Sequence, residues 1–303
     1  MGIWREKWRS LVFFIAALLF GTAACSGSTP TASLRSSPIP VVDCRGAMET
    51  AGAASPTAGA RYVSRTLAGE IRDYRIFRPP ALDSTKPVPL IIALHGTPSE
   101  ADELASISRF DDEAVKAGFL AVYPNGCQGS WHTAAGSDDV NFISRLIDQL
   151  QVDFRIDSAR VYVVGVSAGS PMAYRMACEL SDRIAGVASI AGSMSSSGCQ
   201  PSRPVSILEM HGTVDLNVPY PRGLAAVQQW TTLNGCVGDP VLSQSGITKT
   251  SVWNRCNAKA VVRLDTVVGG HHTWFGSDFD PVPGEPNANA EIWTFFSSLQ
   301  TTA

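Results

Sequence analysis

The chain has 303 residues, 45% of them hydrophobic and 17% charged, with a formal net charge of −3. This is the composition of a folded protein with enough chain to bury a large core, which excludes a chain disordered throughout. The slightly acidic balance, without any basic run or basic aromatic stripe, excludes nucleic acid as the partner.

The N-terminus differs in character from the rest. Arg5, Lys7 and Arg9 precede the apolar run Leu11 to Phe20, which leads through Gly21-Thr22-Ala23-Ala24 to Cys25. The apolar stretch up to Ala24 is 14 residues, shorter than the ~20 needed to span a bilayer. Residues 1–24 therefore read as an export signal. The small residues before Cys25 are similar to a bacterial lipobox, with Thr22 in place of the usual leucine, so lipidation of Cys25 is expected. Residues 25–45, rich in Ser, Thr and Pro, read as a flexible tether. The expected location is outside the cell or at its surface, with membrane contact only through the lipid anchor. Loss of residues 1–24 takes the net charge to −5.

Residues 46–303 read as one α/β domain. An antiparallel hairpin is expected near residues 62–78, then the buried strand Pro89 to Leu94, a helix from Glu103 to Ala117, and the strand LAVYP. A helix from Asp138 to Phe154 precedes the buried strand Val161 to Val164, and Met172 to Leu180 continue as a helix. Further apolar strands cover Val205 to Met210 and Val261 to Val268. Alternating strands and helices predict a mostly parallel sheet with helices on both faces. No repeat at a solenoid period is present.

Between strand and helix lies Gly165-Val166-Ser167-Ala168-Gly169, a G-x-S-x-G pentapeptide. A serine hydroxyl is a weak nucleophile and must be exposed on a sharp turn beside a base and oxyanion donors. Glycines at 165 and 169 let strand and helix cross closely, and Pro171 fits the first helical turn. With Ser167 as nucleophile, an acid and then a histidine should follow. His95 and His132 precede Ser167, while Glu179, Asp182 and Glu209, the only acids between Ser167 and His211, do not lie on loops beyond strand ends. The base is then His271 or His272, on the loop after Val268. Asp215, just past the strand ending at Met210, is the expected acid; Asp265 is the rival, inside a strand pattern. Oxyanion donors are expected at the N–H groups of Ala168, next to the nucleophile, and Thr97, after His95-Gly96. His95 itself reads as a packed residue at a strand edge.

The blocks DDVNFISRLID, RVYVVGVSAGSPMAYRMACEL, HGTVDLNVPY, WTTLNGC and GGHHTW, in this order, resemble the secreted polyhydroxybutyrate depolymerase and feruloyl/acetyl-xylan esterase family, including LpqC-like actinobacterial lipoproteins. The resemblance covers roughly residues 60 to 300. It implies an α/β-hydrolase fold and, through the family's G-H-x-W element, His272 as the base, with His271 where glycine is usual. It also implies a Cys236–Cys256 disulfide. Thr97, Ala168 and Ser170 depart from the family's usual residues, changes to which backbone donors are insensitive.

With Cys25 lipidated, six cysteines remain, enough for three bridges in an oxidising compartment. Cys178–Cys199 would join the end of the elbow helix to the end of the next strand, leaving Cys44–Cys127. Trp131 and Trp274 are candidates for lining a substrate pocket. No chelating cysteine or histidine spacing and no glycine-rich phosphate loop occurs, so neither metal nor cofactor is expected. The expected activity is serine-esterase hydrolysis of polyhydroxyalkanoate-type, aromatic or acetyl esters by a monomer. The alternatives are an acyltransferase with the same triad and a non-catalytic surface protein on a hydrolase scaffold.

Overall fold

A computed structural model describes residues 42–44, 59–67, 70–83, 85–194 and 198–299. Residues 1–24, expected to be an export signal, and Cys25, expected to be lipidated, lie outside these residues, as does most of the expected tether. Val42–Asp43, expected at the tether's end, instead form a strand (β1), and Cys44 is bridged to Cys127.

The hairpin is β2 (Ala60–Leu67) with β3 (Glu70–Phe77). The strands β4 (Val88–Leu94), β5 (Leu120–Pro124), β6 (Ile156–Val166), β7 (Gly186–Ile190), β8 (Ser206–Gly212) and β11 (Val262–Val267) form the parallel centre, in the spatial order β5-β4-β6-β7-β8-β11. Beyond β11, β10 (Thr248–Trp253) and β9 (Val241–Ser245) add an antiparallel edge.

Side chains of successive strand residues point to opposite faces, and β4 divides accordingly. Leu90, Ile92 and Leu94 enter a core with Phe142, Leu146, Met172 and Trp230, whereas Ile91 and Ala93 enter a second with Phe110, Phe275 and Phe296. The first core seats α3 (Asp138–Asp153), α4 (Gly169–Glu179) and α5 (Tyr220–Leu233). The second seats α1 (Ala101–Ser108), α2 (Phe110–Ala117) and α6 (Ala288–Ser298). Strands buried on both faces need no polar alternation, which is why they read as continuous apolar runs.

The helix expected over 103–117 is two helices, broken at Arg109, whose φ is 49°. Ser108 Oγ accepts the Phe110 N–H and helps start the second. From β4 the chain passes to β5 on one side and returns to β6 on the other, which opens a crevice at the carboxyl ends of β4 and β6. This crevice receives Gly96 and Ser167.

Candidate active site

Ser167 lies on the turn between β6 and α4 with φ 52°, a left-handed conformation that costs a non-glycine residue on the order of 1 kcal/mol or more. Its surroundings impose it. A Cβ at Gly165 would run into the Gly169 backbone, and one at Gly169 into the Leu94 and His95 carbonyls. The Ser167 N–H donates to the Ile190 carbonyl at 3.0 Å, and Ser170 Oγ–H donates to the Gly165 carbonyl at 2.9 Å. The hydroxyl at 170, unusual for the resembling family, thus pins the turn.

Asp215 and His272 reach Ser167 from the loops after β8 and β11. His272 Nε2 is 2.9 Å from Ser167 Oγ, and His272 Nδ1 is 2.8 Å from Asp215 Oδ2. Because an ionised carboxylate only accepts, Nδ1 carries the proton and Nε2 presents a lone pair to the serine hydroxyl. Asp215 Oδ1 accepts the N–H groups of Asn217 (2.9 Å) and Val218 (2.8 Å). The two loops are tied together by Thr213 N–H to the Val267 carbonyl, Val214 N–H to the Gly270 carbonyl and Gly269 N–H to Thr213 Oγ1. Gly212 permits this, since a Cβ there would meet the Gly270 carbonyl.

The neighbouring histidine does not join the group. His271 Nδ1 pairs at 2.8 Å with Asp280, and both side chains are about half exposed. Asp265 is fully buried and serves Arg263 and Thr250, away from His272.

On the other side of Ser167, Gly96 packs so that a Cβ there would lie 3.4 Å from Ser167 Cβ, and Thr97 follows it directly in the chain. Ala168 stands at the N-terminus of α4, where the first N–H groups have no helical partners. His95 fixes this rim. Its Nε2 accepts the Gly126 N–H at 3.0 Å, so its proton is on Nδ1 and goes to the Gly96 carbonyl at 2.6 Å. Burial pushes its pKa down, outweighing that carbonyl and the nearby carboxylates, and keeps it neutral.

Trp131 and Trp274, the candidates for lining a pocket, are both mostly buried. Trp131, 9% exposed, stacks near His95 and donates Nε1–H to the His95 carbonyl. Trp274, 3% exposed, packs against Phe110 and donates to Asn289. Both indoles are spent on internal packing and hydrogen bonds. Exposed apolar side chains near the triad are instead Val214, Leu216, Val268 and Phe279, on or beside the acid and base loops. A cavity of about 760 Å³, lined by Tyr162, Arg183, Arg203 and Lys259 among others, lies at the opposite ends of the strands and includes none of the candidate residues.

Behind Asp215 sits a group set aside by sequence reasoning. His211 Nδ1 is 2.8 Å from Glu209 Oε1, His211 Nε2 is 2.8 Å from the Val218 carbonyl and 3.4 Å from Asp215 Oδ2, and Tyr174 O–H donates to Glu209 Oε2 at 2.6 Å. Two polar residues spaced by two in a strand share a face, and a buried Glu-x-His in β8 was the available signal. The three expected cysteine pairs, Cys44–Cys127, Cys178–Cys199 and Cys236–Cys256, are bonded.

Among known proteins, residues 72–199 match the family model of the esterase PHB depolymerases. The chain is 29% identical to a putative esterase, NocK, of Nocardia uniformis subsp. tsuyamanensis, over 87% of this chain and 89% of that one. It is 28% identical to feruloyl esterase B of Piromyces equi over 64% of this chain, and spans only 41% of that protein's length. An acetyl xylan esterase from Aspergillus awamori superposes with a TM-score of 0.61 at 16% identity, covering 78% of this chain and 99% of that one, a likeness of fold.

Proposed function

We propose that the chain, which matches the esterase PHB depolymerase family model over residues 72–199 and is similar to curated esterases, is an exported serine esterase working through Ser167, His272 and Asp215. The observation that carries the reading is the unbroken chain from Ser167 Oγ to His272 Nε2 at 2.9 Å and from His272 Nδ1 to Asp215 at 2.8 Å.

Ser167 Oγ attacks the ester carbonyl as its proton passes to His272 Nε2. The imidazolium that forms is held by Asp215, and the developing oxyanion is held by the N–H groups of Ala168 and Thr97. His272 then gives the proton to the leaving alcohol, which leaves an acyl ester on Ser167. Water, deprotonated by the same nitrogen, hydrolyses it. Three disulfides support an oxidising, extracellular destination. The exposed Val214, Leu216, Val268 and Phe279, with Leu216 91% exposed, support an open site for polymer-linked or aromatic esters such as those named for the relatives.

The test uses purified residues 26–303 on a panel of acetyl, feruloyl and hydroxybutyrate esters, with fluorophosphonate labelling. Wild type should hydrolyse at least one class and take the label, and Ser167→Ala should do neither. Turnover retained by a folded Ser167→Ala would overturn the proposal.

A further inference from the structure

The imidazole of His211 has a hydrogen-bond environment that dictates its charge. On one side Nε2 faces the Val218 carbonyl at 2.8 Å and Asp215 Oδ2 at 3.4 Å, groups that can only accept. On the other, Nδ1 faces Glu209 Oε1 at 2.8 Å, while Glu209 Oε2 already accepts the Tyr174 hydroxyl at 2.6 Å. Glu209 and His211 side chains are both fully buried. A buried carboxylate without a cation is costly, and so is an imidazolium without acceptors; together they satisfy one another.

We propose that His211 is a positioning residue for the acid of the triad: as an imidazolium held by Glu209, it clamps the Asp215–Val218 turn and sets the charge that Asp215 presents to His272. The proposal rests on the triad reading. The clamp acts through the Val218 peptide, whose N–H donates to Asp215 Oδ1 at 2.8 Å while its carbonyl accepts from His211. Moving His211 moves both.

The electrostatic part follows from position. His211 and His272 both face the same oxygen, Asp215 Oδ2, at 3.4 and 2.8 Å. A positive His211 there repels the positive charge that His272 takes on during the reaction, and Glu209, on the far side of the ring, offsets only part of that repulsion because it is more distant. Burial by itself pushes the His211 pKa down; the Glu209 hydrogen bond and charge, the Val218 carbonyl and Asp215 outweigh it and carry it above the ordinary value. The other groups facing the ring are Tyr220, edge-on at 5.9 Å and bonded to Thr266, and Tyr174 through Glu209, whose burial and proximity to Glu209 keep its hydroxyl protonated.

The test is the pH dependence of kcat and KM for wild type, Glu209→Gln and His211→Asn, with Ser167→Ala as the control for the triad. Glutamine at 209 can still donate to Nδ1, so the clamp survives while His211 turns neutral. The acid limb of kcat/KM should then move to higher pH by about half a unit or more. His211→Asn should lower kcat about 10- to 100-fold with KM within about threefold, the signature of a displaced catalytic group. An unmoved acid limb in folded Glu209→Gln overturns the charge role, and unchanged kcat in folded His211→Asn overturns the clamp. If neither variant folds, 15N spectra of wild-type imidazoles decide. One histidine that keeps both ring nitrogens protonated at a pH above the ordinary histidine value is expected, and its absence overturns the proposal. Turnover by Ser167→Ala would instead fault the triad.

Discussion

Replacing Asp215 by asparagine changes the one point where several donors converge. Oδ1 takes the N–H groups of Asn217 and Val218, and Oδ2 takes His272 Nδ1–H with His211 Nε2 3.4 Å away. An asparagine carbonyl can keep the two backbone bonds, but its NH2 then faces two N–H donors. His272 escapes by shifting its proton to Nε2, the tautomer that cannot accept the Ser167 proton. The expected loss is about 10⁴-fold in kcat, or about 5.4 kcal/mol. The opposite amide rotamer keeps the tautomer but turns NH2 against the Asn217 and Val218 N–H groups. Either way the loss of charged hydrogen bonds should cost about 1.5–3 kcal/mol of stability. Steady-state kinetics on a soluble ester, paired with denaturant unfolding, measure both. A folded Asp215→Asn enzyme with kcat within about tenfold of wild type would refute the reasoning.

The paired histidines give a second contrast: His272→Ala should match Ser167→Ala in its loss of turnover, since members of such a unit are not additive. His271→Ala removes only a half-exposed pair with Asp280, worth at most about 1 kcal/mol in solvent, and turnover should change less than about tenfold; the reverse ranking in folded variants would move the base by one residue. Removing the Cys236–Cys256 bridge, 20 residues apart, should cost about 3 kcal/mol by loop-closure entropy, read from unfolding midpoints. A form starting at Ser26 should show no free thiol when denatured without reductant, and two or more would contradict the bonded pairs.

What the sequence made legible was whatever depends on buried strands. Runs such as LIIAL and VYVV are apolar because both faces are covered, and order along the chain then located Ser167, Asp215 and the histidine pair. The β9–β10 hairpin escaped because it is an edge: SQSGITKTS is polar, β9 is exposed throughout, and no hydrophobic period marks it. Arg109 broke a helix without a glycine to announce it. Selecting His272 over His271 needed the family resemblance, because the physical discriminator is a tertiary one: His271 has Asp280 as its partner. The sequence argues against Glu209 because it lies inside a strand, and against His211 because no acid between Ser167 and it lies on a loop beyond a strand end. Their function as a pair is visible only once Tyr174, from α4, arrives beside them.

His95 and His211 are each followed by glycine, at the ends of β4 and β8, and each steadies one side of the site, yet their surroundings assign them opposite charge. His95 meets one donor and one acceptor, so a neutral ring satisfies both; His211 meets acceptors on both sides, so a charged one does. The consequences for stability have opposite sign. With its pKa lowered from 6.5, His95 contributes stability that is present above about pH 6.5 and is lost as pH falls, when the unfolded chain gains a proton the folded ring refuses. With its pKa raised from 6.5, His211 contributes stability that is present below about pH 6.5 and is lost as pH rises through the folded value. The two contributions are jointly greatest near the ordinary histidine pKa. Acidification therefore strains the oxyanion rim first, whereas alkali releases the turn that carries Asp215.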